Sequence, residues 1–209
     1  MPTRNAIKQY ETDAYYHIYT RGVNKDLVFI DDLDKAYFLS LFKRYLSGER
    51  TISSARVVYK DYSGELELLS YCLMDNHIHI LVYQTEMDAI ARFMRSLMTS
   101  YSMYFNKRHG RVGHVFQSRY LARRIDSDAY LHHISRYIHR NPKDWRSYSY
   151  SSIDYYIGRR KSSWLETERV LSLFGGNREE YHHFVAETGD DNDDTDELSF
   201  ERADGYIVE

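Results

Sequence analysis

Two closely spaced histidines are the residues whose types and spacing first suggest chemistry. His77 and His79 lie in the apolar stretch 71–82, separated only by Ile78. Because successive side chains of a strand point to opposite faces, the two imidazoles share one face, about 6–7 Å apart along the strand. Two neutral imidazoles at that spacing can bind one divalent ion. A pair of structural histidines bonded to backbone carbonyls is the alternative, and spacing alone does not decide between them.

A stripe of polar residues on a later segment forms a second cluster. The pattern over 128–141 predicts a helix that cannot continue through Pro142. His133, Tyr137 and Asn141 follow one another at intervals of four residues, so they share one side of this helix. The chain has 21 tyrosines, and most tyrosines pack with the hydroxyl in solvent. The pattern by itself therefore assigns Tyr137 no role.

The stretch between the two clusters is basic. Residues 89–125 include no acid and eight lysines or arginines, with histidines and aromatic residues interleaved. Gly110 and Gly113 give its backbone conformational freedom. Such a stretch is more typical of a surface that faces phosphates than of a merely solvated face.

Length and composition indicate one domain with extensions. The chain has 209 residues and is 43% hydrophobic, which is enough for a packed core. Its single cysteine, Cys72, excludes a disulfide or a cysteine-type zinc site within one chain. No apolar run approaches the roughly 20 residues that span a bilayer, and no signal peptide is recognised. We therefore expect a cytoplasmic protein with no membrane partner.

The net charge of −3 is unevenly distributed. Residues 187–209 hold ten acids and one base, so the remaining residues have a net charge of +6. A basic body favours contact with polyanions, and the acidic tail 188–209 is predicted to be disordered. Periodicity and turn signals predict the other elements. We expect strands over 14–20, 52–59, 65–74 and 76–82, helices over 33–46, 87–108, 164–174 and 178–187, and a loop or short helix over 148–158.

Five blocks in a fixed order resemble a known family. They are YHIYTRGVNK, YCLMDNHIHILV, GHVFQSRYLARRI, RYIHRNP and YSYSSIDYYIG. Over residues 14–158 they resemble the single-tyrosine HUH transposases of insertion sequences, most closely the REP-associated tyrosine transposases. HUH denotes two histidines flanking a hydrophobic residue, here His77-Ile78-His79. The tripeptide alone is a weak signal, but its order with FQSRY and YIHRNP is specific. Asp75 stands where many relatives have proline.

The resemblance implies an α+β fold, a ferredoxin-like antiparallel sheet with helices on one face and the histidine strand near its centre. Residues 1–158 would form the catalytic domain, 159–187 a C-terminal helical extension, and 188–209 the acidic tail. The implied enzyme is a tyrosine HUH transposase, which acts as DNA endonuclease and strand transferase on single-stranded or hairpin DNA. Relatives are monomers, or homodimers that exchange the tyrosine helix, and the sequence leaves both open.

The resemblance also implies a role for each candidate residue. His77, His79 and Asn141 would hold Mg²⁺ or Mn²⁺, although some relatives have glutamine at the Asn141 position. Tyr137 would be the nucleophile and form a 5′-phosphotyrosine intermediate during DNA transposition or REP-element mobilisation. A free phenol has a pKa near 10, so a cation beside it assists the attack. A covalent ester permits rejoining without ATP.

Further residues are predicted to contact DNA, each with a solvated surface position as the alternative. They follow the first strand or lie in the basic stretch: Arg21, Asn24, Lys25, Gln117, Arg119, Tyr120, Arg123 and Arg124. Two other functions stay open, a metal-dependent nucleic-acid hydrolase that uses water and a domesticated DNA-binding protein without activity.

Overall fold

A computed structural model describes residues 10–52, 56 and 58–187. The described chain forms four strands, six α-helices and two short 3₁₀ turns. The strands are β1 (Ala14–Arg21), β2 (Leu66–Met74), β3 (His77–Gln84) and β4 (Leu121–Ile125). The helices are α1 (Asp32–Leu46), α2 (Ala89–His109), α3 (Asp128–Arg140), α4 (Ile153–Tyr156), α5 (Glu168–Leu171) and α6 (Arg178–Ala186). None of the described helices is both long enough and apolar enough to cross a membrane.

The strands form one antiparallel sheet in the order β2-β3-β1-β4. With α1 between β1 and β2 and α2 between β3 and β4, this is the split β-α-β arrangement of ferredoxin-like folds. The histidine strand β3 lies in the interior of the sheet, as predicted, and its residues from Ile78 to Val82 are all buried. The α+β class is confirmed.

Helices cover both faces of the sheet, whereas the expectation placed them on one face. The helices α1 and α2 pack with strand residues such as Ile18 and Ile80 into a first core. The helix α3 and the C-terminal helices pack with Cys72 and Leu81 into a second core on the opposite face. The reason is that β3 is apolar on both faces, so each face needs a covering layer.

The ends of the two helices nearest the site are fixed by local signals. The Ser127 side chain accepts a hydrogen bond from the Tyr130 backbone N–H and caps α3. The helix α2 ends at Gly110, whose φ of 62° lies in the left-handed region that glycine enters without strain. Both boundaries agree with the sequence prediction to within two residues.

Three elements differ from the sequence prediction. The edge strand β4 was not predicted, because half-buried Arg123 and exposed Arg124 mask the alternation of a half-buried strand. Residues 52–59 are not a strand where they are described, and exposed Ile52 and Val58 form only an isolated bridge. The predicted helix 164–174 is shortened to α5 and the following turn Ser172–Phe174. The predicted tail 188–209 lies outside the described residues.

Candidate active site

The two histidines begin β3 directly after a two-residue turn. Asp75 in this turn accepts a hydrogen bond from the Lys35 ammonium at 2.6 Å, and its backbone oxygen accepts two more from the chain after β1. Asn76 places its Oδ1 atom 2.6 Å from His77 Nδ1. The turn that presents His77 is therefore held by both side chains that precede it. Asp75 therefore ties the turn to Lys35 on α1 through an ion pair.

His77 and Asn141 face each other across the space between β3 and the end of α3. The His77 Nε2 atom lies 3.0 Å from Asn141 Oδ1. Burial lowers the pKa of His77, and a neutral imidazole has one N–H and one lone pair. His77 therefore donates to only one of the two amide oxygens beside it. When its Nδ1–H donates to Asn76, the lone pair on its Nε2 atom and the Asn141 oxygen point into the same space.

This arrangement of donors fits a divalent ion. Two neighbouring ligands about 2.1 Å from an octahedral ion lie about 3.0 Å apart, which matches the observed separation of His77 Nε2 and Asn141 Oδ1. A half-turn of the Asn141 amide would present its N–H₂ to the ring. His77 and Asn141 can therefore also hydrogen-bond to each other directly, without an ion between them. Among the described residues, no three histidine, cysteine or acidic side chains are grouped to hold a metal. Beside His77 and His79, the Asn141 amide would supply a third protein ligand.

His79 is held by a second buried histidine that the sequence analysis did not include. His17 on β1 places its Nε2 atom 3.0 Å from His79 Nδ1, and the two rings lie edge to edge with nearly parallel planes and centroids 5.2 Å apart. Burial lowers the pKa of both rings, that of His17 to about 3, so both are neutral. A bond from His79 Nδ1–H to His17 Nε2 places the His79 lone pair on Nε2. Metal-binding histidines usually have such a second contact.

Tyr137 lies against these histidines within the same chain. Its ring centroid is 5.2 Å from that of His79 and 6.1 Å from that of His17, and it meets both rings nearly edge-on. The backbone keeps helical angles through Asn141, so Tyr137 and Asn141 are one turn apart as predicted. The structure therefore brings together all four residues predicted for the catalytic and metal roles.

The tyrosine helix is fixed from its other side by the C-terminal segment. His139 on α3 is fully buried and bonds to the Tyr181 hydroxyl and to Ser152 Oγ, both at 2.7 Å. Arg140 donates to the backbone oxygen of Glu187. The C-terminal helices therefore buttress the helix that presents Tyr137.

Most of the predicted DNA-contacting residues lie near the end of the sheet that holds His77. Arg21 is the last residue of β1 and is paired in register with His77. Gln117 donates its backbone N–H to the Arg21 backbone oxygen at 2.9 Å. This bond holds the segment around Gln117 beside the end of β1. Four residues of this group are exposed: Asn24, Lys25, Gln117 and Arg119.

The other three predicted DNA contacts have partners within the protein. Tyr120 is only 7% exposed, and its hydroxyl accepts a hydrogen bond from the Tyr10 hydroxyl at 2.7 Å. Arg123 lies on the same face of the sheet as His17, and its guanidinium is 4.8 Å from the centre of an aromatic ring in α3. Arg124 is exposed and forms an ion pair with Glu11.

Comparison with known proteins agrees with this architecture. The model of a family described as "Transposase IS200 like" matches residues 11–141. A solved structure described as a REP-associated tyrosine transposase bound to a REP hairpin superposes with a TM-score of 0.51 and 14% identity, covering 75% of this chain and 87% of that chain. No curated protein matches the chain. The family match spans more than half of the sequence and includes all four central residues of the site, so the chain belongs to the IS200-like transposase family.

Proposed function

We propose that this protein cleaves and rejoins single-stranded DNA through a covalent tyrosine intermediate, in DNA transposition or REP-element mobilisation. The single observation that most supports this is the contact of Tyr137 with His79 of the same chain, at 5.2 Å between ring centroids. The similar solved structure is described as bound to a REP hairpin. Hairpin DNA with unpaired flanks is therefore the substrate proposed here.

The chemistry proposed for the site is a transesterification. His77, His79 and Asn141 would hold Mg²⁺ or Mn²⁺, which would polarise the scissile phosphate. The Tyr137 oxygen loses its proton and bonds to phosphorus, while the bond to the 3′ oxygen of the leaving strand breaks. That leaving oxygen takes up a proton in exchange, so no net proton is gained or lost. The products are a 5′-phosphotyrosine and a free 3′-hydroxyl. A second 3′-hydroxyl then displaces the Tyr137 oxygen and restores the phosphodiester.

The predicted DNA contacts have a place in this proposal. Arg21, Lys25 and Arg119 would bind phosphates near the end of the sheet and position the strand. A water-using hydrolase is the second candidate function, because it would need the same histidines. Such an enzyme has no use for a phenol against the metal ligands, so the position of Tyr137 favours transesterification.

A denaturing gel tests the proposal. The protein is incubated with Mn²⁺ and end-labelled hairpins with unpaired flanks from around its own gene. We expect a protein–DNA adduct that survives denaturation, and its loss in Tyr137→Phe with DNA binding retained. Tyr130→Phe, two turns earlier on α3, is the matched control and should keep the adduct. Cleavage without any adduct would instead support the hydrolase.

A further inference from the structure

A groove lies between α2 and the segment 113–120, on the face of the sheet opposite the histidines. Its volume is about 870 Å³, within the range of sites that bind organic ligands. The residues at its base, Met94, Phe116 and Tyr120, belong to the core formed by α1 and α2. The groove is thus a feature of the fold that the proposed chemistry of Tyr137 does not use.

The lining of the groove combines apolar surface with positive charge. Met94, Met98 and Met103 come from α2, and Met103 is 70% exposed. Arg95 and Arg119 stand on opposite walls and are both exposed. Among the described residues that line the groove, none is acidic. A flat apolar ligand with negative charges matches this surface.

The groove is joined to the end of the sheet where His77 lies. Its wall at Phe116 forms a bridge with Gly22, the residue that follows β1, and Gly22 N–H donates to the Asn76 oxygen at 2.9 Å. A Cβ atom on Gly22 would lie 2.1 Å from the Asp26 backbone oxygen, so the chain passes very close to itself here. Gly22 therefore connects the wall of the groove at Phe116 to the turn that precedes His77. A DNA strand bound at the histidines would pass around this turn to reach the groove.

We propose that the groove binds unpaired nucleotides that flank the cleaved position. The inference rests on the function proposed above and adds a binding site on the opposite face. Methionine and aromatic surfaces can contact the faces of any base, while arginines bind the phosphates between bases. An amphipathic protein helix would also bind methionines, but the two arginines and the acid-free lining favour the polyanion.

The test compares two double variants of the full chain. Arg95→Ala/Met103→Ala alters the groove. The control Met87→Ala/Lys107→Ala likewise removes one methionine and one basic side chain, from exposed positions that do not line the groove. Alanine preserves helix propensity on α2. Thermal melting confirms that each variant folds.

Binding is measured by fluorescence anisotropy without divalent ions, with labelled hairpins that have or lack ten unpaired nucleotides on each side. We expect the groove variant to bind the flanked hairpin about tenfold more weakly, with a salt slope shallower by about 0.7 for the lost phosphate contact. The bare hairpin should bind within twofold of the unaltered protein, and the control variant should behave normally with both probes.

Three results would overturn the inference. They are unchanged affinity of the groove variant for the flanked hairpin, an equal loss with the bare hairpin, and no preference of the unaltered protein for the flanks. The adduct gel is read separately. If the unaltered protein forms an adduct and the groove variant binds DNA normally, the inference is refuted and the proposed function stands. If the groove variant shows the expected binding loss but no adduct forms, the proposed function is refuted and the groove still binds flanking nucleotides.

Discussion

Replacing His17 tests how the site prepares His79 for a metal ion. His17 is 3% exposed and His79 is 1% exposed, so no water can replace the bond between them. His17→Phe keeps an aromatic ring in this position but removes the acceptor for His79 Nδ1–H. Without that acceptor, the tautomer of His79 with its proton on Nε2 becomes more favourable. A proton on Nε2 blocks coordination of a metal ion by that atom. We expect weaker metal binding although no ligand has been removed.

The size of the effect follows from the burial of the pair. An unpaired buried donor costs about 1–3 kcal/mol. Loss of a hydrogen bond to a metal-binding histidine weakens metal binding by about 10–100-fold, which is a free energy of similar size. His17→Gln retains a side-chain oxygen that can accept from His79 Nδ1–H. Its Mn²⁺ affinity should fall by less than about threefold, which corresponds to about 0.7 kcal/mol and is below the cost of an unpaired donor.

The assay is a Mn²⁺ titration followed by the electron paramagnetic resonance signal of the free ion. Nitrogen-15 chemical shifts of the imidazoles report the tautomer of His79 in the same samples. The expected order of affinity is unaltered protein, His17→Gln, then His17→Phe, with similar melting temperatures for the two variants. Equal Mn²⁺ affinity in His17→Phe and the unaltered protein would refute the positioning role, as would glutamine and phenylalanine having the same effect.

Three further predictions follow from the contacts around the site and the core. Asn141→Ala should weaken Mn²⁺ binding about tenfold by removing one of three protein ligands, and unchanged affinity in the titration would exclude Asn141 from the shell. Because Tyr137 contacts His79 of its own chain, a mixture of Tyr137→Phe and His79→Ala proteins should form no DNA adduct on a denaturing gel, whereas restored adduct would indicate exchange between subunits. Burial raises the pKa of Asp34, but a backbone N–H and the Arg108 guanidinium outweigh it and hold the pKa below its usual value. This stabilisation is present above about pH 4 and is lost as the pH falls through the folded-state pKa. Urea unfolding at pH 7 should therefore show Asp34→Asn about 1–3 kcal/mol less stable than the unaltered protein, with a smaller difference in unfolding free energy at pH 3. A difference that stays constant between the two pH values would contradict the assignment.

The fold could be predicted where the sequence pattern reflects burial. The apolar run of β3 and the 3.6-residue period of α2 and α3 correspond to elements that are buried, and the structure confirms them. The strand β4 lies at the sheet edge, where solvent accommodates Arg124 and the half-buried Arg123 weakens the apolar alternation. The second helical layer follows from how the faces of the sheet are covered, which local patterns do not specify.

The site could be predicted in its residues but not in all of its contacts. Spacing pairs His77 with His79, and the family resemblance adds Tyr137 and Asn141. His17 was missed because it comes next to His79 only through the register of β1 and β3, in which His17 pairs with Leu81. A histidine amid β-forming residues was the only local signal of its role, and a structural histidine gives the same signal.

Mass spectrometry of the trapped complex tests the central claim most directly. The protein is mixed with Mn²⁺ and a hairpin, denatured and digested with trypsin and nuclease, and the peptide that retains a nucleotide is sequenced. The account predicts a 5′-nucleotide joined to the Tyr137 oxygen, absent when Mn²⁺ is chelated. A nucleotide on any other side chain, or cleaved DNA with no modified peptide, would contradict it.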